Sequence, residues 1–159
     1  MARKIKTGDR IVVVSKGELK LYEAKPRTLE AEAGLKEYEV KLDLIRDEDY
    51  IAAHKKISES VSDEAGRFKN AGEAHGVSVG EDHNLEEEIE NRLLRLTAED
   101  IDAIAAESNA KIFLTVPETV EKELMALLDA ATREKIIKTV PKDLIKTDKE
   151  ELLERINEA

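Results

Sequence analysis

Lys111-Ile-Phe-Leu-Thr-Val116 is an apolar run closed by Pro117, and Ile136-Ile-Lys-Thr-Val-Pro-Lys-Asp-Leu-Ile-Lys146 follows after a helical pattern. A buried strand, a helix and a second short strand in that order make a parallel β-α-β unit, so this stretch decides the fold class. Pro117 suits the first helical position, and Val120, Leu124, Leu127 and Leu128 supply the apolar face of the helix between the strands. Pro141 stops the second strand. Thr147-Asp-Lys-Glu150 then reads as a capping box opening a last helix, with Leu152, Leu153 and Ile156 turned inward.

Upstream, Arg10-Ile-Val-Val-Val-Ser15 is a β-branched run and Leu19-Lys-Leu-Tyr-Glu23 alternates apolar with polar. Gly17, free to take positive φ, makes the connection between them a tight hairpin turn. The first strand is apolar on both faces, which predicts a central position. Tyr38, Val40, Leu42 and Leu44 repeat with a period of two and predict a third strand. A short helix is expected over Asp47 to Ile57, with Asp47 as its N-cap.

Residues 60–82 are small, polar and glycine-containing, too long for a simple connector, and read as a mobile functional loop. Leu85, Ile89, Leu93 and Leu96 mark one stripe of a helix starting near Asn84. That helix is expected to kink or restart at Thr97-Ala-Glu-Asp100 and to run to about Glu107. The order β-β-β-α-β-α-β-α predicts a single α/β domain over residues 1–159. Its five-stranded mixed sheet has a ribonuclease-H-like order with helices packed on it.

The 159 residues suffice for one proper core, and no apolar run is long enough to span a membrane. With no cysteine there is no disulfide, thiolate metal site or cysteine nucleophile. Residues 1–9 lack the apolar segment of a secretory signal, so the expected compartment is the cytoplasm. The net charge of −10 is uneven: residues 1–27 carry +5 and the rest −15. The basic stretch could meet phosphates, or it could be a solvated hairpin face of mixed charge.

Catalytic patterns are missing. A ribonuclease-H-like nuclease converges carboxylates at its strand ends to hold two metal ions, yet neither 10–15 nor 111–116 contains an acid. Glu81-Asp82-His83 with Glu86, Glu87 and Glu90 has ligand chemistry, but acids at a helix start are favoured by the helix dipole alone. No metal and no cofactor is expected. There is no nucleophile elbow and no Walker or dinucleotide glycine pattern, and five aromatic residues give little platform for base stacking. Two anion-compatible spots remain: Gly66-Arg67-Phe68-Lys69, and the helix start at Pro117-Glu118.

Val61-Ser-Asp-Glu-Ala-Gly-Arg-Phe68, the strand-Pro-helix of Ile112–Leu124 and Val140-Pro-Lys-Asp-Leu-Ile-Lys146 together resemble the bacterial family "protein required for attachment to host cells". Ser62, Asp63, Gly66 and Arg67 match its Ser-Asp-x-x-Gly-Arg motif, Pro117 one of its two adjacent prolines, and Lys142, Asp143 and Leu144 its Lys-Asp-Leu motif. The family is similar in fold to the middle domain of archaeal and eukaryotic class I release factors. That likeness implies a role beside RNA or the ribosome, whereas the family's description implies a surface role. Two departures stand out. Val116-Pro117-Glu118 replaces the family's Pro-Pro-Arg, and the chain has no glutamine with which to build the Gly-Gly-Gln loop of peptide release.

The sequence therefore predicts a non-enzymatic, release-factor-like module contacting RNA, the ribosome or another protein through Arg67, Lys69 and the basic N-terminal stretch. The alternative is a host-attachment or surface-interaction factor. The expected binding residues are Ser62, Asp63, Gly66, Arg67, Lys69, Pro117, Lys142 and Asp143.

Overall fold

The computed structural model describes residues 3–27, 40–51 and 79–159. Strands β1 (Arg10–Ser15), β2 (Glu18–Pro26) and β3 (Val40–Asp49) precede helix α1 (Val79–Glu107). Strand β4 (Ile112–Thr115), helices α2 (Glu118–Leu127) and α3 (Ala130–Lys135), strand β5 (Ile136–Val140) and helix α4 (Lys149–Glu158) complete the order. The strands form one mixed sheet ordered β3-β2-β1-β4-β5. β2 runs antiparallel to both β1 and β3, while β4 is parallel to β1 and to β5.

β1 is central, as its two apolar faces predict, and its side chains alternate between two cores. Ile11 and Val13 join Tyr22, Leu42, Phe113, Val140, Leu152, Leu153 and Ile156 beneath α4. Val12 and Val14 join Leu19, Leu21, Ile101, Ile104, Ile112, Leu114 and Leu124 beneath α1 and α2. The period of two sends neighbouring residues to opposite sides, so a strand apolar throughout needs cover on both. The result is an α/β domain of three layers.

Several local expectations are corrected. The short helix from Asp47 does not begin there: Asp47, Glu48 and Asp49 continue β3, pairing with Lys20, Leu19 and Glu18. Ladder bonds to a long β2 outweigh the capping preference of one aspartate, and helical backbone begins only at Tyr50. Tyr38 and the greater part of the proposed loop over 60–82 lie outside the described residues. At 79–82 the chain is already helical, so α1 starts before Asn84.

The helix also passes Thr97 without a break. Thr97 Oγ1 donates to the carbonyl of Leu93 at 2.8 Å, so the hydroxyl is satisfied within the helix instead of capping a new one. The apolar stripe shifts as well, with Leu85 and Leu96 exposed and the buried face formed by Ala98, Ile101, Ile104 and Ala105. At 1.5 Å per residue α1 is about 43 Å long, against about 33 Å for the ten-residue β3, the longest strand.

Further along, Leu127 is exposed and ends α2. Leu128 is extended and buried, and the separate helix α3 follows it. Pro117 is the N-cap of α2 and not its first residue. Asp148, not Thr147, caps α4, its Oδ1 accepting from the Glu151 amide at 3.0 Å. α1 carries no basic residue in its last turn. Lys135 of α3 supplies the missing donors, its ammonium reaching the carbonyls of Ala105 and Ser108.

Candidate functional site

The carboxyl ends of β1, β4 and β5 lie side by side, the place where open α/β sheets take ligands. Three predicted site residues come to this edge. Pro117 follows β4, and its carbonyl accepts from the Val120 and Glu121 amides at 3.1 Å each. Lys142 and Asp143 follow β5; Lys142 is exposed, and its amide donates to the Val140 carbonyl at 2.9 Å. Asp143 Oδ2 accepts from Ser15 Oγ at 2.9 Å, and Oδ1 accepts from the Ile145 amide at 3.2 Å. The Lys-Asp-Leu turn is thereby tied to the end of β1. Asp143 acts first as a loop fastener, since both its oxygens have partners within the chain. Ser62, Asp63, Gly66, Arg67 and Lys69 lie outside the described residues.

Next to Ser15, on the face covered by α1 and α2, is a cleft of about 190 Å³. The β1–β2 turn gives it Ser15, Lys16 and Gly17, and α1 gives Glu90, Asn91, Leu93, Leu94 and Thr97. Ile51, Val120 and Glu123 close it. Sequence reasoning missed most of these residues. By periodicity Leu93 belongs to a helix stripe and Val120 to the apolar face of a helix, and neither pattern marks a cleft. An adjacent leucine pair, too wide for one stripe, is the one local signal.

The cleft wall is held from several directions. Gly17 has φ +85°, and its carbonyl accepts the Tyr50 amide at 2.8 Å, which sets Ile51 against the turn. The Tyr50 hydroxyl donates to Asp100 on α1, whose other oxygen lies 3.5 Å from the Arg46 guanidinium. Burial, and then the hydrogen bond to Asp100 with its charge, push the Tyr50 phenol far above its ordinary value. It is therefore a permanent donor, and the end of β3 is clamped to both the turn and α1.

On the sheet's other face the hairpin carries Glu18, opposite Asp49 and two residues from the Lys20–Asp47 pair. Burial, then the hydrogen bond and charge of Asp47, raise the Glu18 carboxyl above its usual range, while Lys20 opposes the shift. An acid whose pKa rises on folding loses stability as pH climbs through that range, and contributes nothing once it is protonated in both states. Glu18→Gln is therefore expected to melt higher than the parent at pH 7, with the gap closing below about pH 4. A parent that melts higher than the variant at pH 7 would contradict this account.

The basic N-terminal stretch is largely satisfied by the chain's own acids. Arg3 forms a bidentate pair with buried Asp9, Arg10 lies 2.6 Å from Glu107 and Arg27 2.9 Å from Glu150. Lys25 sits 3.8 and 3.9 Å from Glu23 and Asp43, and Lys20 donates to the Ile145 carbonyl. The stretch fits the mixed-charge hairpin face, with most of its cations engaged within the chain.

Fold and site together define a small α/β domain with a small, mostly apolar cleft beside the carboxyl end of β1. Among the described residues no group of three or more His, Asp or Glu side chains could hold a metal ion. None of the described helices is long and apolar enough to cross a membrane. From the first residue of β1 to the last turn of α4, residues 10–156, the chain matches the family described as "Protein required for attachment to host cells", and it belongs to that family. Comparison with curated proteins found no match.

Proposed function

We propose that this family member is a non-enzymatic binding module that engages a partner through the cleft beside the β1–β2 turn, in service of attachment to host cells. The observation that carries the reading is the cleft itself: apolar walls, a polar rim and a position at the carboxyl ends of parallel strands. The family's description supports the attachment role. Strand order β3-β2-β1-β4-β5 with β2 antiparallel supports kinship with the ribonuclease-H-like architecture. The absence of any acid from β1 and β4 favours binding over nuclease chemistry within it. A release-factor-like contact with RNA would rest on Arg67 and Lys69, outside the described residues, and on an N-terminal stretch whose cations are mostly engaged.

A deletion strain complemented with the parent gene is expected to regain attachment. The same strain carrying Leu94→Gln should not, provided the purified variant melts within a few degrees of the parent. Full attachment by a well-folded Leu94→Gln protein would remove the cleft from the function. Co-sedimentation of both proteins with ribosomes would favour the RNA reading instead.

A further inference from the structure

The chemistry of the cleft restricts what it can hold. Its volume of about 190 Å³ is below the roughly 300–1,000 Å³ of pockets for cofactors and drug-sized ligands. It exceeds the roughly 150 Å³ of an engineered apolar cavity that takes up benzene. One aliphatic side chain fits; a nucleotide does not. The walls are Ile51, Leu93, Leu94 and Val120, which reward burial of such a group. Among the described residues the rim carries two exposed carboxylates, Glu90 and Glu123, and one ammonium, that of Lys16. A cation beside the aliphatic group is therefore attracted and an anion repelled.

We propose that the cleft receives a short segment of a partner protein in which an aliphatic side chain is flanked by Lys or Arg. The aliphatic group fills the cleft and the flanking cations meet Glu90 and Glu123. This rests on the reading of the cleft as the binding site, and it adds the class of partner.

The test is an amide NMR titration of the full chain at low salt with two blocked pentapeptides, Gly-Lys-Leu-Lys-Gly and Gly-Glu-Leu-Glu-Gly. The basic peptide is expected to shift the amides of Leu93, Leu94 and Val120 saturably. The acidic peptide should bind about two- to thirtyfold more weakly, as two exposed charge pairs allow. Glu90→Lys combined with Glu123→Lys should cancel or reverse that preference, since both side chains are exposed and the fold does not depend on them. Val120→Phe, which fills the cleft, should abolish both responses.

Equal binding of the two peptides at the cleft would overturn the basic-partner assignment and leave the binding site standing. Unmoved cleft amides with either peptide would overturn both. Cleft shifts that follow protein concentration alone would assign the cleft to a second copy of this chain and overturn the proposal.

Discussion

Phe113→Ala is expected to be the most damaging single substitution within the sheet. Phe113 lies on β4 with 1% of its surface exposed, packed with Ile11, Val13 and the inward face of α4. The Arg3 guanidinium sits over its ring, 6.0 Å from the centroid. Truncating a buried phenylalanine removes its transfer free energy and leaves a cavity that close-packed neighbours only partly refill, at a cost of about 3–5 kcal/mol. A domain of this kind has a total stability of about 5–15 kcal/mol, so the loss is a large share. In thermal melts the midpoint should fall by about 6–20 °C. A drop under about 3 °C would mean that α4 does not close tightly over this face.

Gly17→Ala is expected to cost about 2–5 kcal/mol and to reshape the cleft. Two effects add at this position. The backbone sits at φ +85°, where an alanine costs about 1–2 kcal/mol. A Cβ there would also fall 2.3 Å from Ile51 Cγ1, and relieving such overpacking costs about 1–3 kcal/mol more. Gly8 isolates the first effect, because it has φ +93° with nothing within 4 Å of an added Cβ. Gly8→Ala should therefore lose only the backbone share. Equal midpoints for the two variants in urea would show that Ile51 yields freely, and the packing half of the argument would then fail. If the packing holds, the Gly17 variant should also move the Ile51 and Leu94 amides, since the displaced isoleucine is a cleft wall.

The family assignment changes how the Lys-Asp-Leu turn is understood. Its aspartate is engaged twice within the chain, to Ser15 and to the Ile145 amide, and Leu144 and Ile145 are buried in the core under α4. The motif is thus spent on docking the β5–α4 connection against β1. It shapes the edge where the cleft opens and leaves exposed Lys142 as the member that faces outward.

What the sequence determined alone is the existence and order of the strands and the two-faced burial of the central ones. On β3 it failed at Leu44, which the period of two turns inward but which is exposed beside the register shift at Leu21/Tyr22. Arg10–Ser15 had to be central because it is apolar on both faces. Ile112–Thr115 and Ile136–Val140 had to be parallel because a helix separates them. These are local facts, carried by a period of two or of 3.6 and by the few residues at each end. The tertiary structure decided where elements stop and what meets at their ends. β2 drew Asp47–Asp49 into the sheet against their capping chemistry, and the face that α1 turns to the core, Ala98, Ile101, Ile104 and Ala105, left Leu85 and Leu96 exposed.

The cleft belongs wholly to this second level. Its walls come from four places in the chain, and the Ser15–Asp143 bond beside it spans 128 residues of sequence. No periodicity encodes such a meeting, because it depends on how far each element reaches once the two cores have formed.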